Sequence, residues 1–249
     1  MSSLRGLRVV LTRGAERDAT LATALRDRGA TVFELPCVRI EPLGDARPLA
    51  SAVRALGPED WLVLTSANGA DAVLRAVPPA EIRARIAAVG EQTASALRRA
   101  GLGVWRPSRQ NAEALADELP RMTGRALLAR ADRAGAELPA RLRERGFAVA
   151  DVVAYRTVPH VVDAVRAAEL LAPGAVDAVV FASPSALEGL LTACGPDDIA
   201  RHVVVAIGPT TARAVRASLG REPIVADTPS VDGFLRAITS IEVRHVASA

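Results

Sequence analysis

Hydrophobic residues along the chain form short continuous runs that alternate with longer segments of helical periodicity. A short apolar run bounded by polar residues favours a strand, whereas apolar positions recurring every three to four residues favour a helix. Strands are predicted at 7–13, 30–36, 60–66, 85–90, 102–107 and 124–130, and helices at 16–29, 70–77, 91–101 and 111–120. Strand–helix alternation is typical of a parallel sheet, and strands that are apolar throughout indicate a sheet covered on both faces. The pattern therefore predicts an α/β protein.

An internal repeat relates the two halves of the chain. The stretch LTSANGADAVL at 64–74 resembles FASPSALEGLL at 181–191, which aligns two serines at an offset of 117 residues (66 to 183). Four further pairs keep nearly the same offset: Arg13 with Arg130, Gly29 with Gly146, VRIEP with YRTVP, and AVGEQTASAL with AIGPTTARAV. A period of about half the chain indicates duplication of a domain-sized unit.

Two extended segments that end in proline, LPCVRIEPL and VVAYRTVPH, are interpreted as linkers at 37–42 and 154–159. Proline cannot continue a helix, and it biases the residue before it towards extended backbone. If the linkers lie side by side, residues 1–36 with 160–249 form one domain and 43–153 the other. The residues alone also allow two contiguous halves. The predicted fold is α/β, with two similar doubly wound parallel-sheet domains, a two-stranded linker and a cleft between them.

Composition narrows the classes of function. The chain has 249 residues and is 50% hydrophobic, with a net charge of +3 and 3% aromatic residues, which gives little support for nucleic-acid binding. No apolar run is long enough to span a membrane and no signal peptide is evident, so a cytoplasmic protein is expected. The two cysteines are far apart, which argues against a disulfide framework or a metal site. All 31 basic residues are arginine, which fits carboxylate or phosphate ligands or simply codon bias.

Small, hydroxyl-bearing and amide-bearing residues follow most predicted strands, each just before a helix. Ligands of open parallel sheets bind beyond the carboxyl ends of the strands, and helix N-termini attract anions. The predicted binding residues are Arg13, Ser66, Ala67, Asn68, Gly90, Thr93, Ser183, Pro184, Ser185, Gly208, Thr210 and Thr211. Taken singly, the serines and the asparagine are also ordinary helix caps, and the glycines also suit tight strand-to-helix turns. Together the loops favour a ligand with several carboxylates.

Common catalytic motifs are absent from the sequence. No G-x-G-x-x-G follows a strand, and neither a P-loop nor a G-x-S-x-G motif occurs. The three histidines are scattered and are given no role. Tyr155, the sole tyrosine, lies in a proposed linker. The alternative to a functional role is a half-buried side chain whose hydroxyl bonds to the backbone.

The motifs LVLTSANGADAV, AVGEQTASAL, ADVVAYRTVP, AVVFASPSAL, AIGPTTARAV and TPSVDGFLRAI together resemble uroporphyrinogen-III synthase over nearly the whole chain. The resemblance implies a lyase of tetrapyrrole and heme biosynthesis that uses no cofactor or metal. It implies cyclisation of hydroxymethylbilane to uroporphyrinogen III, with inversion of ring D and loss of water. Tyr155 matches the tyrosine proposed as the family's general acid, and the substrate's carboxylates suit the anion-binding loops.

The resemblance further implies that hydroxymethylbilane synthase supplies the substrate, and a monomer is expected. Two other classes of protein are alternatives. A non-catalytic module that binds a small anion or a tetrapyrrole on the same scaffold is expected to carry a DNA-binding domain, for which the sequence leaves no room. A two-domain small-molecule binding protein would usually carry an export signal, and none is evident.

Overall fold

The computed structural model describes residues 3–12, 15–121, 124–228 and 230–246, and outside 15–19 and 242–246 it describes their side chains as well. The strands are β1 (Arg8–Leu11), β2 (Thr31–Glu34), β3 (Val38–Pro42), β4 (Trp61–Leu64), β5 (Arg85–Ala88), β6 (Val104–Trp105), β7 (Ala126–Ala131), β8 (Val149–Pro159), β9 (Ala178–Phe181), β10 (Val203–Ala206) and β11 (Ile224–Val225). The helices are α1 (Ala15–Arg26), α2 (Arg47–Arg54), α3 (Ala67–Ala76), α4 (Glu91–Arg99), α5 (Ala112–Glu118), α6 (Glu137–Glu144), α7 (Ala164–Leu170), α8 (Pro184–Leu191), α9 (Pro196–Ala200), α10 (Pro209–Leu219) and α11 (Val231–Val246), with a 3₁₀ turn at Pro79–Glu81.

The chain divides into two compact units. Unit 1 comprises Met1–Arg39 and Val158–Ala249, and unit 2 comprises Ile40–Thr157. One sheet is five-stranded with the order β2–β1–β9–β10–β11, and the other is six-stranded with the order β3–β8–β7–β4–β5–β6. The five-stranded sheet has the strand order of one class of doubly wound proteins, in which the chain reverses direction across the sheet at the first strand. The prediction of an α/β fold with parallel sheets is confirmed.

Both sheets are buried on both faces, as their continuous apolar strands predict. Successive residues of β4 enter two different apolar clusters: Leu62 and Leu64 join one, and Trp61 and Val63 join the other. Side chains of a strand alternate between its two faces, so each face must be covered separately. The strands of unit 1 behave in the same way, since Val9 and Val10 belong to different clusters.

The repeat in the sequence is a repeat in the structure. Strand β4 begins at Trp61 and β9 at Ala178, and each ends just before a capping serine. By the same offset, β7 and β8 correspond to β1 and β2, so β8–β7–β4–β5–β6 reproduces the spatial order of unit 1. The chain order differs, because β4–β6 precede β7 and β8. Unit 2 is therefore a circularly permuted counterpart of unit 1.

Two features go beyond the predicted elements. Helix α2 is absent from the sequence-based prediction, although it buries an amphipathic face of Leu49, Ala50 and Val53. Segments 37–42 and 154–159 are extended, as their prolines favour, but they also take part in a sheet. Strand β3 covers 38–42 of the first segment, and the second is the end of the eleven-residue strand β8. Among the described residues, no helix has both the length and the apolar character that a membrane span requires.

Candidate active site

Ser66 and Ser183 cap equivalent helices. Ser66 Oγ accepts a hydrogen bond from the Gly69 amide at 3.1 Å, and Ser183 Oγ accepts one from the Ala186 amide at 3.2 Å. Both serines have extended backbone, which is the usual conformation of an N-cap. The capping alternative is therefore confirmed for both, and the binding of carboxylates by these serines stays a prediction.

The hydroxyl of Tyr155 lies 2.9 Å from Ser66 Oγ, at hydrogen-bond distance. The tyrosine side chain is largely buried, with 7% of its surface exposed. The alternative in which its hydroxyl bonds to the backbone is therefore wrong. Because the Gly69 amide bonds to the same serine oxygen, a chain of hydrogen bonds leads from the N-terminus of α3 to the phenol oxygen.

A β-bulge directs Tyr155 into the core of unit 2. In the ladder between β7 and β8, Arg130 pairs with Val153 but Ala131 pairs with Tyr155, so Ala154 is the extra residue. Consecutive strand residues normally face opposite sides of a sheet, and a bulge changes that alternation locally. Ala154 and Tyr155 are accordingly both buried in the same apolar cluster, which holds the aromatic ring.

Asp132, the residue after β7, holds the backbone around Tyr155. Its amide donates to the Tyr155 carbonyl at 3.1 Å, and its Oδ1 accepts from the Thr157 amide at 2.9 Å. Ser66 follows the neighbouring strand β4, and the carboxyl ends of parallel strands meet at one edge of the sheet. The phenol and its two supports therefore lie at the sheet edge where proteins of this architecture bind ligands.

Arg13 and Arg130 are the two arginines predicted at the ends of equivalent strands, and the structure describes only the second. Arg13 lies outside the described residues. Arg130 is 8% exposed, donates to both carboxylate oxygens of Asp151, and also donates to the Gly135 carbonyl. Because these acceptors engage its guanidinium on several sides, Arg130 connects β7, β8 and the loop before α6.

The two loop glycines do not occupy strained turns. Gly90 has φ −121° and Gly208 has φ 179°, and both values are extended conformations open to other residues. A Cβ on Gly208 would have no atom within 4 Å, and one on Gly90 would meet only the Gln110 side chain at 3.4 Å. The tight-turn alternative is therefore wrong for both positions, and neither glycine is required by the local backbone.

The threonines after these glycines occupy the first turns of α4 and α10. Thr93 and Thr211 are equivalent in the repeat and are both buried, whereas Thr210 is exposed. The first amides of a helix have no partner within it, and among the described residues the Thr210 and Thr211 amides have no acceptor from another element. The N-terminus of α10 thus offers two backbone donors beside the exposed Thr210 hydroxyl.

The remaining predicted residues begin α3 and α8. Ala67 and Asn68 open α3, and the Asn68 Nδ2 is buried without a hydrogen-bond partner among the described residues. Pro184 and Ser185 open α8, where the proline supplies no amide and the Ser185 side chain is largely buried. Unit 2 contains Tyr155 and Ser66, Ala67, Asn68, Gly90 and Thr93; unit 1 contains Ser183, Pro184, Ser185, Gly208, Thr210 and Thr211.

Two other titratable side chains, Cys37 and His202, are buried in unit 1. Burial raises the pKa of the Cys37 thiol to about 12, and nearby Cys194 adds to the shift. Both ring nitrogens of buried His202 lie at hydrogen-bond distance from backbone carbonyls, those of Val176 and Leu171. No group of three or more His, Cys, Asp or Glu side chains within the described ranges could hold a metal ion.

Sequence patterns missed the surroundings of Tyr155. Asp132 is not among the predicted site residues, and Ser66 is predicted only as a cap or a substrate contact. Their bonds to Tyr155 and Thr157 join residues far apart in sequence. The serine–tyrosine contact depends on a bulge for which the sequence gives no spacing signal, because a single extra residue decides where the ring points.

Comparison with known proteins shows the family of the chain. The profile described as uroporphyrinogen-III synthase HemD matches residues 19–236. A uroporphyrinogen-III synthase of Synechococcus elongatus is 30% identical over 256 residues, covering 94% of this chain and 95% of the relative. A porphyrin biosynthesis protein HemD of Ruminiclostridium josui is 25% identical, and the match covers 96% of this chain but only 49% of that protein.

Solved structures agree with the sequence matches. A mutant uroporphyrinogen III synthase from the extremely thermophilic bacterium Thermus thermophilus superposes with a TM-score of 0.57 at 25% identity, covering 94% of this chain and 100% of that chain. The fold is also that of uroporphyrinogen-III synthetase from Helicobacter pylori, with a TM-score of 0.61 at 18% identity and coverage of 94% and 99%. The chain therefore belongs to the uroporphyrinogen-III synthase family, the cyclising lyases of tetrapyrrole biosynthesis.

Proposed function

We propose that this chain converts hydroxymethylbilane to uroporphyrinogen III, with inversion of ring D and loss of water, and that Tyr155 is its general acid. The family match over residues 19–236 carries the reaction. The contact between the Tyr155 hydroxyl and Ser66 supports the role of the tyrosine, because it fixes a phenol oxygen at the ligand-binding edge of a parallel sheet.

The acid acts on the hydroxymethyl group of the substrate. The Tyr155 O–H bond breaks, the proton passes to the hydroxyl oxygen of that group, and the carbon–oxygen bond breaks as water leaves with its electron pair. A delocalised azafulvene cation and a phenolate remain. The substituted carbon of the last ring attacks this cation and forms a spiro intermediate. The bond between that carbon and its original methylene bridge then breaks, which leaves a second azafulvene cation on the neighbouring ring and frees the last ring to turn over. Its unsubstituted α-carbon closes onto the freed methylene, and the proton lost from that carbon as the pyrrole regains aromaticity restores the phenol. General acid catalysis of this kind typically contributes about 10²–10⁴-fold in rate.

Backbone donors at helix N-termini bind the acetate and propionate groups of the substrate. The strongest support comes from α10, where the Thr210 and Thr211 amides have no acceptor from another element among the described residues. Gly208 precedes them with open space at its Cβ position, so a carboxylate can approach the backbone closely. Ser66, Ala67, Asn68, Gly90, Thr93, Ser183 and Ser185 are proposed contacts of the same kind, and Pro184 and Arg13 are further proposed contacts of the substrate. Supply of the substrate by hydroxymethylbilane synthase, a monomeric state and a cytoplasmic location stay predictions.

The product isomer tests the function directly. Hydroxymethylbilane is generated in situ with hydroxymethylbilane synthase, purified protein is added, and the oxidised products are separated by chromatography. Without an enzyme the linear chain closes without inversion to the type I isomer, so the protein is expected to shift the product to type III. Thr239→Val is a matched control, because it removes a hydroxyl whose partner is the Leu235 carbonyl within α11, and it should retain type III formation. Persistent type I product with fresh substrate and folded protein would overturn the proposal.

A further inference from the structure

The hydroxyl of Ser66 has one hydrogen and two lone pairs, and the structure accounts for most of them. One lone pair accepts the Gly69 amide, and the contact with the Tyr155 oxygen uses either the hydrogen or the second lone pair. No further partner of Ser66 Oγ or of the Tyr155 hydroxyl occurs among the described residues. One of the two hydroxyl hydrogens is therefore left without a protein acceptor, and the direction of the bond decides which.

The surroundings favour the serine as donor. Its oxygen lies at the N-terminus of the ten-residue helix α3, where the helix dipole is positive, and it already accepts a hydrogen bond from a backbone amide. Accepting one hydrogen bond polarises a hydroxyl, which strengthens it as a donor and weakens it as a second acceptor. In this direction the Tyr155 proton has no acceptor among the described residues and remains available for a substrate.

We propose that Ser66 is a positioning residue that donates its hydroxyl hydrogen to the Tyr155 oxygen and stabilises the phenolate formed when Tyr155 gives up its proton. This inference rests on the proposed role of Tyr155 as the acid. The hydrogen bond from Ser66 strengthens as negative charge develops on the phenol oxygen, because hydrogen bonds to charged acceptors are about twice as strong as neutral ones. The Gly69 amide supports the same charge through the serine, so the cap of α3 stabilises the transition state as well as the helix.

Tyr155 is the sole tyrosine of the chain, so its vibrational spectrum needs no assignment. The intensity ratio of the tyrosine Fermi doublet in the Raman spectrum distinguishes a phenol that accepts a hydrogen bond from one that donates. The free protein should show an accepting phenol, and Ser66→Thr should preserve that ratio. Ser66→Gly should lose the accepting signature, and Ser66→Asp should convert the phenol into a donor, because a carboxylate only accepts.

The repeat supplies a matched control for this measurement. Ser183 caps α8 with the same geometry, and its oxygen accepts the Ala186 amide. The hydroxyl of the sole tyrosine bonds to Ser66. Ser183→Gly therefore removes an equivalent cap and should leave the Tyr155 doublet unchanged. Glycine and aspartate both serve as N-caps, so the variants at Ser66 keep α3 formed. A phenol that donates in the wild-type protein would overturn the inference.

Kinetics test the consequence for the reaction. Loss of one hydrogen bond to a developing charge predicts that Ser66→Gly lowers kcat for type III product by about 10- to 100-fold. KM should stay close to that of the wild type, and Ser66→Thr should restore kcat. An unchanged kcat, or a loss confined to KM, would contradict the positioning role. If Tyr155→Phe keeps the wild-type kcat, the proposal that Tyr155 is the general acid is wrong. The Raman experiment needs no substrate, so it tests the hydrogen bond from Ser66 separately from that proposal.

Discussion

Asp132 is bonded to the backbone of β8 at Tyr155 and again at Thr157. Its amide donates to the Tyr155 carbonyl, and its carboxylate accepts the amide of Thr157, two residues further along β8. Strand β7 ends at Ala131, so Asp132 replaces the missing ladder partner where β8 continues. The phenol is therefore fixed from two sides, by the backbone through Asp132 and at its hydroxyl through Ser66.

Two substitutions of Asp132 should show whether kcat depends on its hydrogen-bond acceptor oxygen or on its negative charge. Asp132→Asn keeps a carbonyl oxygen for the Thr157 amide and should retain most of kcat, whereas Asp132→Ala loses it and should lower kcat by roughly 5-fold, as expected for a hydrogen bond of about 1 kcal/mol. Steady-state assay of type III formation measures both variants.

Asp60 offers the matched control for this experiment. Its carboxylate accepts the backbone amides of Gly57 and Arg125, but it precedes β4 and so lies at the opposite edge of the sheet from Ser66. Asp60→Asn should lower the free energy of unfolding while kcat is retained. Equal kcat for the Ala and Asn variants at Asp132 would show that the bond to Thr157 does not position the phenol.

The architecture follows from local patterns, and the sequence predicts it well. Runs such as Leu62–Leu64 are apolar on both faces because the sheet is covered on both faces, and Ser66 and Ser183 mark the helix starts that the structure has. The arrangement around Tyr155 does not follow from such patterns. Its ring position depends on the extra residue Ala154 in the β7–β8 ladder, and ladder register is a property of the packed sheet.

The sequence also could not show that the local backbone does not require glycine at positions 90 and 208. The glycines at 90 and 208 suit tight strand-to-helix turns, and a positive φ would explain why glycine occurs there. Both residues instead have extended backbone. A sequence shows that a glycine is present and does not show its φ. Local backbone geometry therefore does not explain these glycines, and the approach of a carboxylate to Gly208 remains part of the proposal for α10.

Helix α10 allows that proposal to be tested with two glycines of one helix. Gly208 at its N-terminus has φ 179° and Gly220 at its C-terminus has φ 61°, and neither would bring a Cβ within 4 Å of another atom. Gly220→Ala should therefore lower the free energy of unfolding by about 1–2 kcal/mol through left-handed strain and leave KM unchanged. Gly208→Ala should cost less than about 1 kcal/mol but raise KM, because the methyl group obstructs a carboxylate approaching the Thr210 and Thr211 amides. An unchanged KM for Gly208→Ala would remove α10 from the binding site.

Arg130 should prove structural. Its guanidinium is buried against Asp151 and the Gly135 carbonyl, so Arg130→Met leaves a carboxylate without its partner and should lower the free energy of unfolding by about 2 kcal/mol. Arg130→Lys should recover only part of this loss, because an ammonium cannot make the two-pronged contact. Urea denaturation measures both variants, with the exposed pair Arg47–Asp45 as a control in which Arg47→Met should change little. Full stability of Arg130→Met would contradict a structural role.

Cys37 should make stability depend on pH in the alkaline range. Burial raises the pKa of its thiol from 9.0 to about 12, so between these values the unfolded chain loses a proton that the folded protein keeps. The free energy of unfolding should then be unaffected by this group below about pH 9 and fall by up to about 1.4 kcal/mol per pH unit above it. Urea denaturation from about pH 8 to about pH 10.5 on the wild type and Cys37→Ala measures the difference. Equal slopes for the two proteins would show that the thiol ionises as readily in the folded state.

The most direct test of the account is the turnover of Tyr155→Phe. Phenylalanine keeps the aromatic ring in the apolar cluster of unit 2 and removes only the hydroxyl that contacts Ser66, so the variant should fold with nearly wild-type stability. With hydroxymethylbilane as substrate, kcat for uroporphyrinogen III should fall by about 100-fold or more, in line with the loss of a general acid, while Thr239→Val keeps its activity. A folded Tyr155→Phe protein that forms the type III isomer at the wild-type rate would contradict the central claim that this phenol is the acid.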